Sequence, residues 1–488
     1  MQGAVFVHRD TGLDYPVAAP FDPSVAYPEW AGEPVGKEEN RVYDAVRELF
    51  RLAGLDAANY GTSAWNPLGR YVRPGDRVLL KPNLVKEKHP RDPQGWRYVL
   101  THGSVIRAVC DYVVKALAGS GEIILADAPQ TDSSFDKIVK LLGLDVLAEY
   151  YERRGIPFRL IDLRQEEWES RDGVVVRREK KPGDPNGAIA FDLGHRSEFI
   201  GHGGGGRYYG ADYDAGEVNR HHSGGRHEYL VAGTAIKCDV FINLPKLKTH
   251  KKAGITVSLK NLVGINADKN WLPHHTEGGV NEGGDERPKS NFRDRLERRA
   301  VRVFRKLSLL APLIGTLIHR RARAGGAIIF GDTEEVVRSG NWWGNDTVWR
   351  MCLDLNKIVL YGNRDGSLRT GGLADRKRYL SIVDGIWAGE GRGPMNPDPK
   401  HCGLLIFGTN PCEVDACAAV LMGFDVEKIP IVRQSFLCRE LPLCEGDWRD
   451  IEIICNFSPG GVSLGKFPAD RCERFMPHFG WVGHIERS

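Results

Sequence analysis

Between Asp239 and Lys269 the chain reads DVFINLPKLKTHKKAGITVSLKNLVGINADK, and six lysines fall there: Lys246, Lys248, Lys251, Lys252, Lys260 and Lys269, with His250 among them and Lys237 just upstream. Ammonium groups at that density suit an anionic ligand, which lysine binds as a point charge. A solvated basic face also collects lysines. It would not normally begin at the end of an apolar run that reads as a buried strand, nor include the turn residues Asn243, Pro245, Thr249 and Gly254. Lys260 stands inside the apolar stretch Gly254 to Ile265, where a charge needs a partner. A lysine desolvated among other cations can act as nucleophile or base near neutral pH, so Lys260 is a candidate for covalent chemistry and His250 for acid or base. Lys81, Lys246 and Lys248 are expected to hold the anion, and Asn83 and Asn261 to orient it. Thr101, in THGS ahead of a helical pattern, reads equally as a capping residue and as an anion-binding helix start.

Acidic candidates stand at or just past strand ends: Asp127, Asp384, Glu390 and Asp415. Hard cations take carboxylate oxygens together with substrate phosphates, so Asp384, Glu390 and Asp415 are the expected ligands of a divalent cation beside the lysines. For Asp415 a first-turn helix carboxylate is the plain alternative. Eight of the fifteen histidines lie from His195 to His275 (His195, His202, His221, His222, His227, His250, His274, His275), which admits a loosely spaced metal site, although H-E-x-x-H is absent. The chain has ten cysteines and no C-x-x-C pair. Cys402, Cys412, Cys417, Cys438 and Cys444 cluster in sequence and admit an irregular iron–sulfur or zinc site, the basis of a metal-carrier alternative. GHGGGGR at Gly201 to Arg207 neither follows a strand nor opens a helix, and no P-loop motif occurs, so kinase and nucleotide-fingerprint readings are set aside.

The elements that must position these groups alternate. Strands are expected at Ala4 to His8, Arg77 to Lys81, Glu122 to Ala126, Phe158 to Asp162, Val240 to Leu244, Ile358 to Tyr361, Leu380 to Asp384 and Gly403 to Phe407. Helices are expected at Arg41 to Ala53, Ser104 to Ala118, Phe135 to Arg154 and Glu413 to Met422. This predicts an α/β fold with mostly parallel sheet, flanking helices and two lobes, with ligands beyond the carboxyl ends of strands. Polar runs follow those ends: KPNLV from Lys81, DAPQTDSS from Asp127, NLPKLKTH from Asn243, VDGIWAGEG from Val383 and GTNPCEVD from Gly408. The expected organisation is an N-terminal α/β region (1–168), a Gly/His-rich insertion (169–235), a central strand and lysine-rich segment (236–266), a polar and basic-helix insertion (267–326) and a C-terminal α/β region (327–488).

At 488 residues the chain can bury two sizeable cores. A formal charge of +3 makes no strong electrostatic claim on nucleic acid, so anion binding must be local. No apolar run reaches the roughly 20 residues of a membrane span, and a cytoplasmic protein with free thiols is expected. Leu307 to Ile318, flanked by arginines from Arg298 to Arg323, suits either an interfacial helix on anionic lipid or a surface helix packed on the core; peripheral membrane contact is therefore placed at 293–323.

The blocks LLKPNLV, TH before a helix, GEIILADAP, DVFINLPKLKTH, VSLKNLVG, LSIVDGIWAGEGRGP and GTNPCEVDACAAVLMGFD resemble, in order, those of the bacterial and archaeal family catalogued as domain of unknown function 362, over a span from Val5 to Glu486. The resemblance implies a cytosolic α/β protein with no general reaction attached. Some members are fused to ferredoxin-type modules, whose cysteines this chain lacks. A fainter similarity, carried by VSLKNLVGI followed by His274 and His275, is to the two-lobed nickel-pincer lactate racemase family. The expected function is an enzyme binding a phosphorylated or carboxylated metabolite in a lysine-rich cleft. A metal or iron–sulfur carrier and a membrane-surface assembly factor are the alternatives.

Overall fold

The computed structural model describes residues 3–30, 35–171, 174–210, 214–291, 336–438 and 440–487. Its strands are β1 (Ala4–Arg9), β2 (Arg77–Pro82), β3 (Glu122–Asp127), β4 (Phe158–Asp162), β5 (Glu166–Arg171), β6 (Val174–Lys180), β7 (Ala188–Asp192), β8 (Tyr208–Tyr209), β9 (Glu228–Ala232), β10 (Val240–Leu244), β11 (Lys246–His250), β12 (Gly254–Thr256), β13 (His275–Thr276), β14 (Arg378–Glu390), β15 (Asp398–Gly408), β16 (Glu452–Cys455) and β17 (Ser458–Ser463). The helices among the described residues are α1 (Arg41–Leu52), α2 (Gly103–Leu117), α3 (Phe135–Leu141), α4 (Leu144–Arg153), α5 (Ala215–His221), α6 (Gly233–Lys237), α7 (Ser258–Asn261), α8 (Val348–Tyr361), α9 (Pro411–Leu421) and α10 (Pro430–Ser435).

One sheet of 11 strands runs β17-β16-β1-β15-β14-β10-β2-β3-β4, with β11 added on β14 and β12 on β11. The run β14-β10-β2-β3-β4 is parallel throughout, as are the β1-β16 and β11-β14 pairs. Antiparallel pairing is confined to β14-β15, β15-β1, β16-β17 and β11-β12. The mostly parallel α/β expectation holds. The two expected cores are the two faces of this one sheet. Val78 and Leu80 of β2, Ile123 and Leu125 of β3, and Val240, Ile242 and Leu244 of β10 pack with α1, α2 and α4. Their alternates Leu79, Ile124, Ala126 and Phe241 pack on the other side with α6, α8 and α9. Side chains two apart share a face, so β-branched and leucine runs covered on both sides are what a doubly packed parallel sheet requires.

Helix starts follow capping chemistry. The Asn40 side chain accepts from Tyr43 N, His102 Nδ1 from Ser104 N, and Asn410 from Cys412 N with Pro411 at the first helical position. Two expectations are corrected. Ile358 to Tyr361 is the last turn of α8, not a strand: a short apolar run has no period of its own, and the helix that contains it is buried nearly all round. The segment Phe135 to Arg154 is two helices, broken where Gly143 takes a left-handed conformation (φ 64°). The Gly/His-rich region forms small β excursions, the pairs β5-β6, β7-β9 and β8-β13. The basic segment 293–323 lies outside the described residues.

Candidate functional site

β10 ends at Leu244, turns at Pro245 and continues as β11, which leans on β14 rather than β2. This offset carries Lys246 and Lys248, alternate residues of one strand, to the carboxyl ends of the parallel strands. Lys81 arrives there at the end of β2 and Lys260 on the one-turn helix α7. The structure thus gathers four of the lysines named from sequence.

Three of them are almost fully buried: Lys246 and Lys248 at 0% exposure, Lys81 at 1%. Lys81 Nζ pairs with Asp127 Oδ1 at 2.6 Å and donates to Pro82 O (2.8 Å) and Asn261 Oδ1 (3.3 Å). Lys246 is the register partner of Asp384 across β11-β14, and its Nζ meets Asp384 Oδ2 at 3.0 Å and Tyr15 OH at 2.6 Å. Tyr15 OH in turn donates to Asp384 Oδ1 at 2.6 Å, and the backbone N–H of His102 donates to Asp384 Oδ2 at 2.9 Å. Lys248 differs, since among the described residues its Nζ donates only to neutral acceptors, Val99 O at 2.7 Å and Asn83 Oδ1 at 3.3 Å. Lys260 is partly exposed and has neither a hydrogen-bond acceptor nor a carboxylate partner among the described residues.

Burial lowers the affinity of all four amines for a proton. Lys248 moves furthest below the ordinary lysine value, because Lys246, Lys260 and Lys81 add repulsion to its desolvation. His250 accepts the N–H groups of Lys252 (3.0 Å) and Ala253 (3.1 Å) on Nδ1, which leaves the proton of the neutral ring on Nε2. Burial, with Lys260, Lys251, Lys248 and Lys252 nearby, holds that ring well below the usual imidazole value. The ring is therefore neutral, with Nε2–H as its donor. His274 has the opposite tautomer, with Nδ1 against Leu272 O at 2.9 Å, and burial takes it down to about 3. Lys269 donates to Pro129 O, and burial brings it down to about 7.

The orienting residues are tied to the frame. Asn261 Nδ2 donates to Lys81 O (3.2 Å) and Asn243 Oδ1 (2.7 Å), while Asn243 donates to Ser258 O and Tyr379 OH. Thr101 Oγ1 donates to Leu244 O (2.6 Å) and accepts Asn83 N (3.0 Å), so it clasps β10 to the loop after β2, and the cap of α2 is His102. Gly264 has no side chain because there is no room for one: a Cβ there would lie 2.0 Å from Asp127 Oδ1 and 2.7 Å from Lys81 Nζ.

The expected metal carboxylates are not brought together. Asp384 is committed to Lys246, Tyr15 and His102. Glu390, six residues further along the same strand and so about 20 Å away, accepts Met476 N at 2.9 Å and pairs with Lys400 at 3.3 Å. Asp415 accepts the N–H groups of Ser258 (2.7 Å) and Leu259 (3.1 Å) at the start of α7, and burial pushes its carboxyl up to about 7. The histidines disperse as well: His221 faces Glu217 and Glu228, while His222 meets Trp271 O and His227. The cysteines are free thiols, and burial pushes those of Cys402, Cys412, Cys417 and Cys438 up. Among the described residues no group of three or more His, Cys, Asp or Glu is placed to hold a metal ion.

Sequence reasoning missed Tyr15 and His102, whose rings stack 3.9 Å apart against the Lys246–Asp384 pair. His102 is adjacent to a named residue, but Tyr15 lies in a loop 231 positions from Lys246, with no spacing to betray it. An open groove of about 620 Å³ lies at the other end of the sheet, lined by Asp239, Arg364, Arg376 and Lys377 among others, away from the lysine cluster.

The fold and this centre define an α/β protein with a mostly parallel sheet and a buried polycationic centre beyond its strand ends. The chain belongs to the family described as Domain of unknown function (DUF362), whose model matches residues 78–181 and 194–420, a span that takes in all four lysines. A protein of Synechocystis sp. strain PCC 6803 named thylakoid-associated protein sll1697 is 26% identical to it over 363 residues, which is 74% of this chain and 68% of that protein.

Proposed function

We propose that the chain is an enzyme acting on a small, multiply charged anion that carries phosphate or carboxylate groups and is held by Lys81, Lys246, Lys248 and Lys260. The observation behind this is a charge imbalance. Four amines converge, and among the described residues carboxylates pair with only two of them, Asp127 with Lys81 and Asp384 with Lys246. A desolvated, unpaired ammonium costs several kcal/mol, an expense a fold does not need for its own stability and one that a dianion would offset. Lys260 and His274, both partly exposed, mark the side from which such a ligand would enter.

Thermal-shift and calorimetric titration with inorganic phosphate, pyrophosphate and citrate tests the proposal. At least one should stabilise the protein saturably, with affinity reduced tenfold or more in Lys248→Met. Equal binding by wild type, Lys248→Met and Lys246→Ala would falsify it.

A second reading, peripheral membrane attachment, is favoured by the name of the Synechocystis relative. Among the described residues no helix is long and apolar enough to cross a membrane, so attachment would be to the surface, through the basic segment 293–323. Co-sedimentation with phosphatidylglycerol vesicles, lost on deletion of 293–323, is the expected result; sedimentation indifferent to that deletion would count against it.

A further inference from the structure

We propose that Lys260 is an imine-forming amine and that the anion bound by the cluster carries a carbonyl group. This rests on the anion-binding reading and adds a reaction to it.

The four lysines are not chemically equivalent. Lys81, Lys246 and Lys248 are buried and each donates to two or more acceptors, which fixes the direction of the amine against the protein frame. Lys260 alone of the four has no acceptor among the described residues, and it alone is partly open to solvent. Burial lowers its affinity for a proton, and Lys81 and Lys248 stand close enough to register its charge. Those neighbours would serve a bound anion at the same time, so the groups that draw in the substrate also free the nucleophile.

The backbone beneath Lys260 is pinned on both sides. Asp415 holds the N–H groups of Ser258 and Leu259, and the Asn261 side chain is tied to Asn243 and to the carbonyl of Lys81. Asn356, on α8, donates to the Leu259 carbonyl at 2.9 Å. A one-turn helix gains little from its own hydrogen bonds, so this degree of anchoring serves position. A side chain placed so firmly, with its reactive end left unengaged, is built to reach something outside the protein.

The step balances without a redox partner. The amine lone pair attacks the carbonyl carbon, and one amine proton passes to the oxygen to give a carbinolamine. That hydroxyl then leaves with the second amine proton as water, forming the C=N bond. Hydrolysis reverses it.

The experiment treats the full chain with sodium cyanoborohydride in the presence of pyruvate or of glyceraldehyde 3-phosphate and maps the adduct by peptide mass spectrometry. One adduct per chain at Lys260, absent in Lys260→Arg and slowed at least tenfold by inorganic phosphate, is expected. The preferred probe then says whether carboxylate or phosphate is the recognised handle. Adducts spread over surface lysines with Lys260 unmodified would overturn the inference, and mapping on wild-type protein makes that outcome readable even if the variant fails to fold. Phosphate binding is measured in parallel. If phosphate binds and Lys260 stays unmodified, the imine falls and anion binding stands; if neither occurs, both fall.

Discussion

Lys246 and Lys248 sit two residues apart at equal burial, yet their removal should have opposite effects. Lys248 has no acidic partner among the described residues, and its proton affinity is lowered in the folded state, so folding is penalised at any pH below the ordinary lysine value near 10.4. Lys248→Met should therefore raise the stability of the ligand-free protein by about 1–3 kcal/mol while abolishing anion-induced stabilisation. Lys246→Ala leaves Asp384 buried without its cation and should cost about 3–5 kcal/mol. Urea denaturation of both variants checks the contrast; destabilisation by both to the same extent would mean that the charge imbalance is not real. Gly264→Ala should cost about 1–3 kcal/mol and weaken anion binding, because the new methyl group must displace the Asp127–Lys81 pair. The lysines were legible in the sequence by density alone. Their sorting into paired and unpaired was not, since it depends on Asp127 and Asp384, which reach the site through strand register, and on Tyr15, which no periodicity links to it.

At the scale of elements, alternation of apolar runs and helical patterns located the strands of the parallel run, and the polar runs that follow those strands located the lysine cluster at their carboxyl ends. What failed had a physical cause in each case. Ile358 to Tyr361 is apolar on every side because α8 lies between the sheet and its surroundings, and an all-apolar segment carries no period. The three carboxylates assigned to a metal all stand near strand ends, but a strand end says nothing about which neighbour lies across from it. Asp415 is the clearest example, as its work is to hold α7. Asp415→Ala would leave two buried N–H groups without acceptors and should cost about 2–4 kcal/mol, with Lys260-dependent labelling reduced in proportion. A substitution that lowers stability yet leaves labelling intact would show that α7 keeps its place by packing alone.

The whole molecule should be acid-sensitive. Burial takes His222 and His274 down to about 3 and His202 and His478 down to about 4, and lowers His8, His102, His227 and His250 as well. Groups with depressed folded-state values contribute stability that is complete above the unfolded histidine value near 6.5 and is lost as pH falls toward the folded values. Asp415 and Asp354, pushed up to about 7 and about 6 by burial, work in the opposite direction and favour folding on acidification, as do Asp44, Asp285, Glu413 and Glu473, which burial also raises. The histidines outnumber them, so the urea midpoint should be lower at pH 5 than at pH 7.5. An unchanged or higher midpoint at pH 5 would contradict the burial of these rings.

The pairing of β1 has a consequence for how the protein is made. β1 is inserted between β15 and β16, with Ala4 opposite Glu452 and Phe6 opposite Phe407. At ribosomal speeds of about 5–20 residues per second, a nascent β1 waits roughly 20 to 90 s for β16 to be synthesised. Until β15 is made both edges of this apolar strand are unpaired, and the edge that takes β16 stays open longer, so production in a living cell should lean on chaperones that shelter β1 until those strands arrive.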